Sequence, residues 1–432
     1  MKLSLARARW RWAFFALILS VAASFSFEAG KVWLAYYRAH SSNPEAWLRA
    51  AELEPGNAQY WHRLGLFEEW DFERGDLGRA VSYYERAAQA NPHSDVYWMD
   101  LASASETLGE MSRAQKAFER ARATYPASSE VAWRYGNFLL RQQEYSQAFA
   151  EFRRALAGDP RLTSTAISQC WKASHSVHGI LNEVLPAQSS FYFSALDYFA
   201  SQGEADAALA VWDQLLRLKQ RFEMPQVVPL INELVRQDRL ADALRVWRGA
   251  LWATGWPQDA GAGSSLVFNG GLEHGVVNGG FDWMQPVIRG ASFALDTTVV
   301  HSGSRSLRIT FDGSANLDFS NVLQWVAVEP RRRYRFAAYL RTEGISTDSG
   351  VRFMISDFRR PAALQILPPG LVGSHPWSRV EQEFVTGPDT HLLVITLRRI
   401  PSWKFDNHLR GTVWVDDVSL VPMAEETKES RR

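Results

Sequence analysis

Cysteine is almost absent. Cys170 stands alone among 432 residues, which excludes an internal disulfide framework and a Cys-cluster zinc site. The lone thiol is compatible with an oxidising or a reducing compartment. Net charge is absent too: 47 Lys and Arg balance 47 Asp and Glu. No global basic field exists to hold nucleic acid. Catalytic motifs are also missing, with no Walker loop, no Gly-x-Ser-x-Gly and no His-Glu-x-x-His. His175 and His178 lie near Cys170, but one thiol and two imidazoles without a second cluster make a poor metal set. Acidic residues are frequent toward the C-terminus, yet no motif selects a glycosidase pair. The expectation is a chain with no catalytic residues and no nucleic-acid partner.

Aromatic residues are abundant instead: 18 Trp, 24 Phe and 13 Tyr. A hydrophobic content of 46% against 22% charged residues excludes a mostly disordered chain. Length alone suggests about three domain-sized units.

Lys2, Arg7, Arg9 and Arg11 precede an uncharged apolar run, Trp12 to Phe27. Two readings compete. Val21-Ala22-Ala23 offers a signal-peptide cleavage site. Alternatively, the run continues past Glu28 and Lys31 into Val32-Trp33-Leu34 and Tyr36-Tyr37, giving an uncleaved anchor with aromatics at both ends. The anchor is the preferred reading. In both, the positive flank stays cytoplasmic and the remainder is exported.

Periodicity follows. Pro55, Pro92, Pro126 and Pro160 are spaced 37, 34 and 34 residues apart. The last three are preceded by Ala80/Tyr84/Ala87, Ala114/Phe118/Ala121 and Ala148/Phe152/Ala155, always at the same offsets. On a helix these positions share a face. Small Ala residues admit a neighbouring helix, the aromatic fills the gap, and Pro ends the unit. The preceding helix repeats Trp61/Leu64/Gly65 and Trp98/Leu101/Ala102, with Tyr135/Gly136 and a shifted Trp133 in the third copy. A half copy (Trp47/Ala50/Pro55) precedes, with three extra residues around Glu68–Phe72 in the first full copy. Degenerate copies follow at Ala208/Trp212/Leu215 and Ala243/Trp247/Ala250, while 161–187 breaks the phase. The unit resembles the tetratricopeptide repeat, which implies an α-solenoid with a concave protein-binding face. Trp47, Trp61, Trp98, Trp212 and Trp247 are then packing residues. Trp133, Asn137 and Arg141 fall on the face that would line the concavity, where Asn137 can bond a partner's backbone.

Beyond a linker at 256–265, short alternating segments such as 306–311, 334–340, 351–355, 392–397 and 412–420 read as strands of an antiparallel β-sandwich. Short motifs come in order: Asn269-Gly270-Gly271-Leu272-Glu273, Gly280-Phe281-Asp282-Trp283, His301-Ser302-Gly303-Ser304-Arg305-Ser306-Leu307, Trp377-Ser378-Arg379-Val380 and Val415-Asp416-Asp417-Val418-Ser419-Leu420. That order resembles the jelly-roll carbohydrate-binding modules of xylanases and cellulases. The resemblance implies a structural calcium held by Glu273 and one of Asp416 and Asp417, since strand neighbours face opposite ways. It also implies aromatic platforms for sugar rings. Trp403, flanked by Lys404, Asp406 and Asn407 in a loop, is the leading candidate, with Trp283 and Trp377 beside it. Trp325 and Trp414 lie in strand patterns and read as core.

The architecture expected is therefore a multidomain α-then-β chain. It comprises an anchor or signal peptide (1–37), a repeat solenoid (38–255), the linker, a jelly-roll sandwich (266–423) and a polar tail (424–432). The whole resembles accessory proteins of bacterial exopolysaccharide loci. That likeness implies a single-pass inner-membrane protein whose repeats and sandwich face the periplasm, the one holding a protein partner and the other a polysaccharide.

Overall fold

A computed structural model describes residues 8–71, 73–257 and 264–424. Lys2 and Arg7 of the positive flank, Phe72, linker residues 258–263 and the tail from 425 onward lie outside the described residues. The chain is an α region followed by an antiparallel β region, and it divides into two compact units at Pro186/Ala187.

The first unit holds α1 (Ala8–Ala39), α2 (Pro44–Leu53), α3 (Ala58–Trp70), α4 (Leu77–Ala90), α5 (Asp95–Thr107), α6 (Met111–Thr124), α7 (Ser129–Arg141), α8 (Tyr145–Gly158), α9 (Thr163–Ser174) and the short α10 (Val177–Gly179). From α3 to α8 the helices form antiparallel hairpins. The small residues of the repeat have a steric cause. A Cβ on Gly65 would lie 2.5 Å from the Tyr84 ring, and one on Gly136 would lie 3.3 Å from Phe152. Each aromatic therefore seats on a helix that has nothing in its way. The Pro–Trp spacing also has a cause. The Trp61 indole donates to the Pro55 carbonyl at 2.9 Å, and Trp98 does the same to Pro92 at 3.0 Å. Trp133 stands one position too late for that bond and instead packs edge-on against Phe152, 5.1 Å between ring centroids.

The half copy is completed by α1. Ala35 and Ala39 pack on Ala50, with Leu53 and Tyr60 around them. The phase break read at 161–187 spans α9, α10 and a wide π-turn at Ile180–Val184, and the first unit ends there.

The second unit joins α11 (Ser189–Ser201), α12 (Ala205–Leu218), α13 (Val228–Arg236) and α14 (Leu240–Thr254) to the sandwich. The strands are β1 (Ala291–Asp296), β2 (Ser306–Asp312), β3 (Phe319–Ala327), β4 (Arg333–Ile345), β5 (Arg352–Asp357), β6 (Gln365–Ile366), β7 (Gly373–Val385), β8 (Leu392–Arg399) and β9 (Arg410–Pro422). They form a five-stranded sheet ordered β1-β2-β9-β4-β7 and a four-stranded sheet ordered β3-β8-β5-β6. Ile309, Phe336, Val413 and Val415 of one sheet meet Phe353, Ile355, Ile395 and Leu397 of the other in one apolar core.

The compact division falls at 186/187 and not at the linker, because the helices of the second unit pack on the sandwich. Trp247 of α14 lies edge-on to Phe268 and Phe281, at 5.3 and 6.0 Å. Gly280, at φ +63°, leaves room for the Trp247 ring, 2.9 Å from where a Cβ would stand. The Arg359 guanidinium donates to the Val235 and Arg236 carbonyls at the end of α13, at 2.8 and 3.1 Å.

Candidate functional site

Three carboxylates gather on one loop. The first residues of the β region bring Glu273, and β9 brings Asp416 and Asp417. Pairing of β9 with β4 shifts register between Ala337 and Tyr339, and Asp417 adopts φ +47°. This bulge changes the expected alternation. Asp416 accepts the His301 and Ser302 backbone N–H groups at 2.8 and 3.3 Å. Asp417, turned by the bulge, reaches the same two residues, meeting His301 Nδ1 at 2.6 Å and the Ser302 hydroxyl at 2.8 Å. Glu273 holds the other end of the loop, accepting from the Ser304 N–H (2.9 Å), the Ser304 hydroxyl (2.6 Å) and the Arg305 N–H (3.2 Å). Gly303 sits at φ +63° so close that a Cβ would fall 2.1 Å from the Glu273 carboxylate.

Burial pushes the Asp416 pKa up, against the donors of His301, Ser302 and Asp417. Burial also pushes on Glu273, but the Ser304 and Arg305 donors outweigh it and hold its carboxyl below the usual range. Every oxygen of the three carboxylates faces an N–H or O–H group or the His301 ring nitrogen. Among the described residues no three Asp, Glu, His or Cys side chains form a metal-ligand group. In this arrangement Glu273, Asp416 and Asp417 form a hydrogen-bonded clasp around residues 301–305.

The clasp borders a cleft of about 680 Å³, lined by Glu273, His274, His301, Tyr339, Arg379 and Asp417 among others. It opens along the outer face of the five-stranded sheet. His301 stacks on Tyr339 with centroids 3.5 Å apart, and the half-buried Trp377 stands edge-on to His301 at 5.6 Å. On β9, Trp414 pairs across the sheet with Arg308 and Arg341. Its indole donates to Asp296 at 2.9 Å, and the Arg341 guanidinium lies 5.5 Å over its ring. The Thr298 hydroxyl and this indole hold the Asp296 carboxyl far below the usual range. Rings edged by guanidinium and imidazole donors can stack on a pyranose ring and bond its hydroxyls.

Several sequence-based expectations change. Trp283 is 1% exposed, and its indole donates to the Asn269 carbonyl at 3.0 Å. It belongs to the core between the sheets and cannot be a sugar platform. Trp325 and Trp414, expected to be core, both point away from the space between the sheets, though Trp414 is still buried, at 6% exposure. Trp325 packs against Phe358 at 5.3 Å and lines a small cavity beside Trp247 of α14. Trp414 lies on the cleft-side sheet face. The alternation was legible: Val413 and Val415 are core, so Trp414 faces outward, and Ala338 and Leu340 place Tyr339 likewise.

Trp403 is fully exposed, at 100%, and so is its unpredicted neighbour Phe405. Their loop is held at its stem. Lys404 pairs with Asp348 at 3.2 Å, and the buried Arg399 donates to the Asn407 carbonyl at 3.1 Å and the Leu317 carbonyl at 2.5 Å. Trp403, Lys404, Asp406 and Asn407 share no described contact with the clasp, whereas Trp377 joins it through His301.

In the first unit, the Asn137 amide donates to the Trp133 carbonyl at 2.8 Å. Arg141 grips Glu106 of α5 with two bonds of 2.6 and 2.7 Å. A further ladder crosses three helices: His62 of α3 meets Asp100 of α5 at 2.8 Å, and Asp100 meets Arg134 of α7 at 3.2 Å. Arg141 and the His62–Asp100–Arg134 ladder couple successive repeats, whereas the Asn137 bond stays within α7.

A tetratricopeptide repeat family model matches residues 71–134. The chain is 28% identical over 132 residues to the small glutamine-rich tetratricopeptide repeat-containing protein 2 of Mycosarcoma maydis, covering 31% of this chain and 34% of that protein. It thus spans about a third of the length of the curated relative it matches. A solved CBM4 structure aligns at TM-score 0.28 and 16% identity, covering 36% of this chain and 99% of that one. The enzymatically active domain of bacteriophage CBA120 tailspike protein 4 aligns at TM-score 0.28 and 14% identity, covering 37% and 22%. Residues 71–134 match the tetratricopeptide repeat, and the two facing sheets themselves identify the C-terminal region as a sandwich.

Proposed function

We propose that this chain is a non-catalytic adaptor of a bacterial cell envelope. Its repeats hold a protein partner, and its sandwich holds a glycan, in the assembly or export of an exopolysaccharide. The observation that carries the glycan reading is the cleft beside the clasp. There His301 and Tyr339 present rings, and Trp377 stands at its border, edge-on to His301. On the same sheet Arg341 lies over Trp414 with no carboxylate partner among the described residues. Solenoids of repeated helix pairs display extended surfaces suited to peptides and proteins, and Trp133, Asn137 and Arg141 remain the proposed contacts there. In this reading α1 anchors the chain in the inner membrane and both regions face the periplasm; the length and apolar character of α1 support it.

The test is a polysaccharide array probed with the full-length protein in detergent, followed by calorimetry on any glycan retained. Trp377→Ala and Arg341→Ala are expected to weaken binding at least tenfold each, about 1.4 kcal/mol, while Trp403→Ala separates the exposed loop from the cleft. Affinity is expected to be equal in calcium and in chelator, because the clasp is closed by hydrogen bonds. No retention of any glycan in either condition leaves a protein-assembly scaffold; release of reducing ends leaves an enzyme.

A further inference from the structure

The helix α1 runs unbroken for 32 residues, about 48 Å at ~1.5 Å per residue. Two things happen along it. Its first part is apolar and exposed from Trp10 onward, and its last two turns belong to the repeat scaffold. Ala35 is 0% exposed against Ala50. The end of the helix is then fastened from two further elements. Arg63 of α3 donates to the Ala39 carbonyl at 2.7 Å, satisfying one of the carbonyls a helix end leaves open. The same guanidinium lies 3.9 Å over the Trp47 ring of α2, whose indole donates to the Ser41 carbonyl at 2.6 Å. No flexible link separates the apolar rod from the first repeat.

The aromatic positions set the depth. Trp12 and Trp33 are 21 residues apart, or roughly 32 Å along a helix, against a hydrocarbon core of ~30 Å. Trp and Tyr favour the two interfaces. Trp33, Tyr36 and Tyr37 form an exposed collar at the far end, with Trp33 stacked on Tyr37 at 5.9 Å. Glu28 and Lys31 lie just inside that collar and neutralise each other at 2.8 Å. Ala35 follows Trp33 by two positions, ~3 Å of axial rise. That is less than the headgroup layer, at about 5–8 Å a side.

We infer that α1 is a rigid strut that seats the first repeat directly on the lipid headgroups, with Trp33, Tyr36 and Tyr37 as its interfacial collar. The partner surface is a lipid bilayer, and helix phase fixes the direction in which the repeats face. The inference rests on the membrane-anchor reading of α1.

The experiment uses the full chain in lipid vesicles with nitroxide labels. Cys170 is buried, with its thiol pKa pushed up to about 12, and does not compete for label. A label at Ile18→Cys is expected in hydrocarbon, and one at Tyr37→Cys at headgroup depth. Paired labels at Phe27→Cys and Gln89→Cys are expected to give one narrow distance distribution. Adding Ala35→Asp is expected to broaden it while the Ile18→Cys label stays in hydrocarbon. An aqueous Ile18→Cys label overturns the anchor reading and the strut with it. A hydrocarbon Ile18→Cys label with a broad 27–89 distribution, or with an aqueous label at 37, overturns the strut and leaves the anchor standing.

Discussion

The two compact units are held together over different distances along the chain. In the first, the residues that touch are mostly one or two helices apart: Gly65 with Tyr84, Trp61 with Pro55, Arg141 with Glu106. In the second, the clasp joins Asp416 to His301 across 115 residues and Glu273 to Ser304 across 31. Damage to a repeat should stay near its neighbours, as in other solenoids. Damage to the second unit should spread through it, because its contacts return from far along the chain.

The largest break of that contrast is expected from Trp247→Ala. Removing a buried Trp costs about 3–5 kcal/mol, and this ring ties α14 to Phe268 and Phe281. Calorimetry should show the helices after Ala187 and the sandwich losing stability in one transition, with the first unit unmoved. Two separate transitions within the second unit would refute its unity.

Gly65→Ala comes next. Its Cβ meets the Tyr84 ring at 2.5 Å, and overpacking of this kind costs about 1–3 kcal/mol. Hydrogen exchange should accelerate in α3, α4 and the adjoining repeat, and the sandwich should keep its protection. Spread into the sandwich would mean that the repeats are not a chain of local contacts.

The smallest effect sharpens the picture of the sandwich. Asp282 is buried, with one oxygen on the Val277 N–H at 2.6 Å and the other unpartnered among the described residues. Burial pushes its pKa from the ordinary 3.8 up to about 6. The folded state therefore holds this proton more tightly than the unfolded one. Its stabilising contribution is complete below the unfolded pKa and is lost as pH rises through the folded pKa. The melting temperature of the second unit should carry a component that falls between roughly pH 4 and pH 7. Asp282→Asn should flatten that component and raise the melting temperature at neutral pH. An unchanged pH profile would place the titration elsewhere.

The solenoid was legible because its code is local. Ala80, Tyr84 and Ala87 share a helix face by spacing alone, and the Pro and Trp six residues apart in two copies are joined by one hydrogen bond. The site was legible only in part. Alternation places Trp414 and Tyr339 on the outer face of their sheet, and Trp414, read as core, is buried on that face and not between the sheets. Trp283 carried no such signal: Gly280-Phe281-Asp282-Trp283 belongs to no regular strand, so periodicity could not tell platform from core. The bulge at Asp417 inverted the one rule applied to the acidic pair.

The sequence by itself determined the order of parts: an apolar helix, repeats with a fixed period, then alternating strands around a core. Those follow from side-chain spacing on helices and strands, a property of neighbouring residues. Tertiary structure alone decided that the last four helices join the sandwich, that both Asp416 and Asp417 reach one loop, and which tryptophans see solvent. Those outcomes depend on which distant surfaces meet and on a single left-handed residue, and no short-range pattern specifies either.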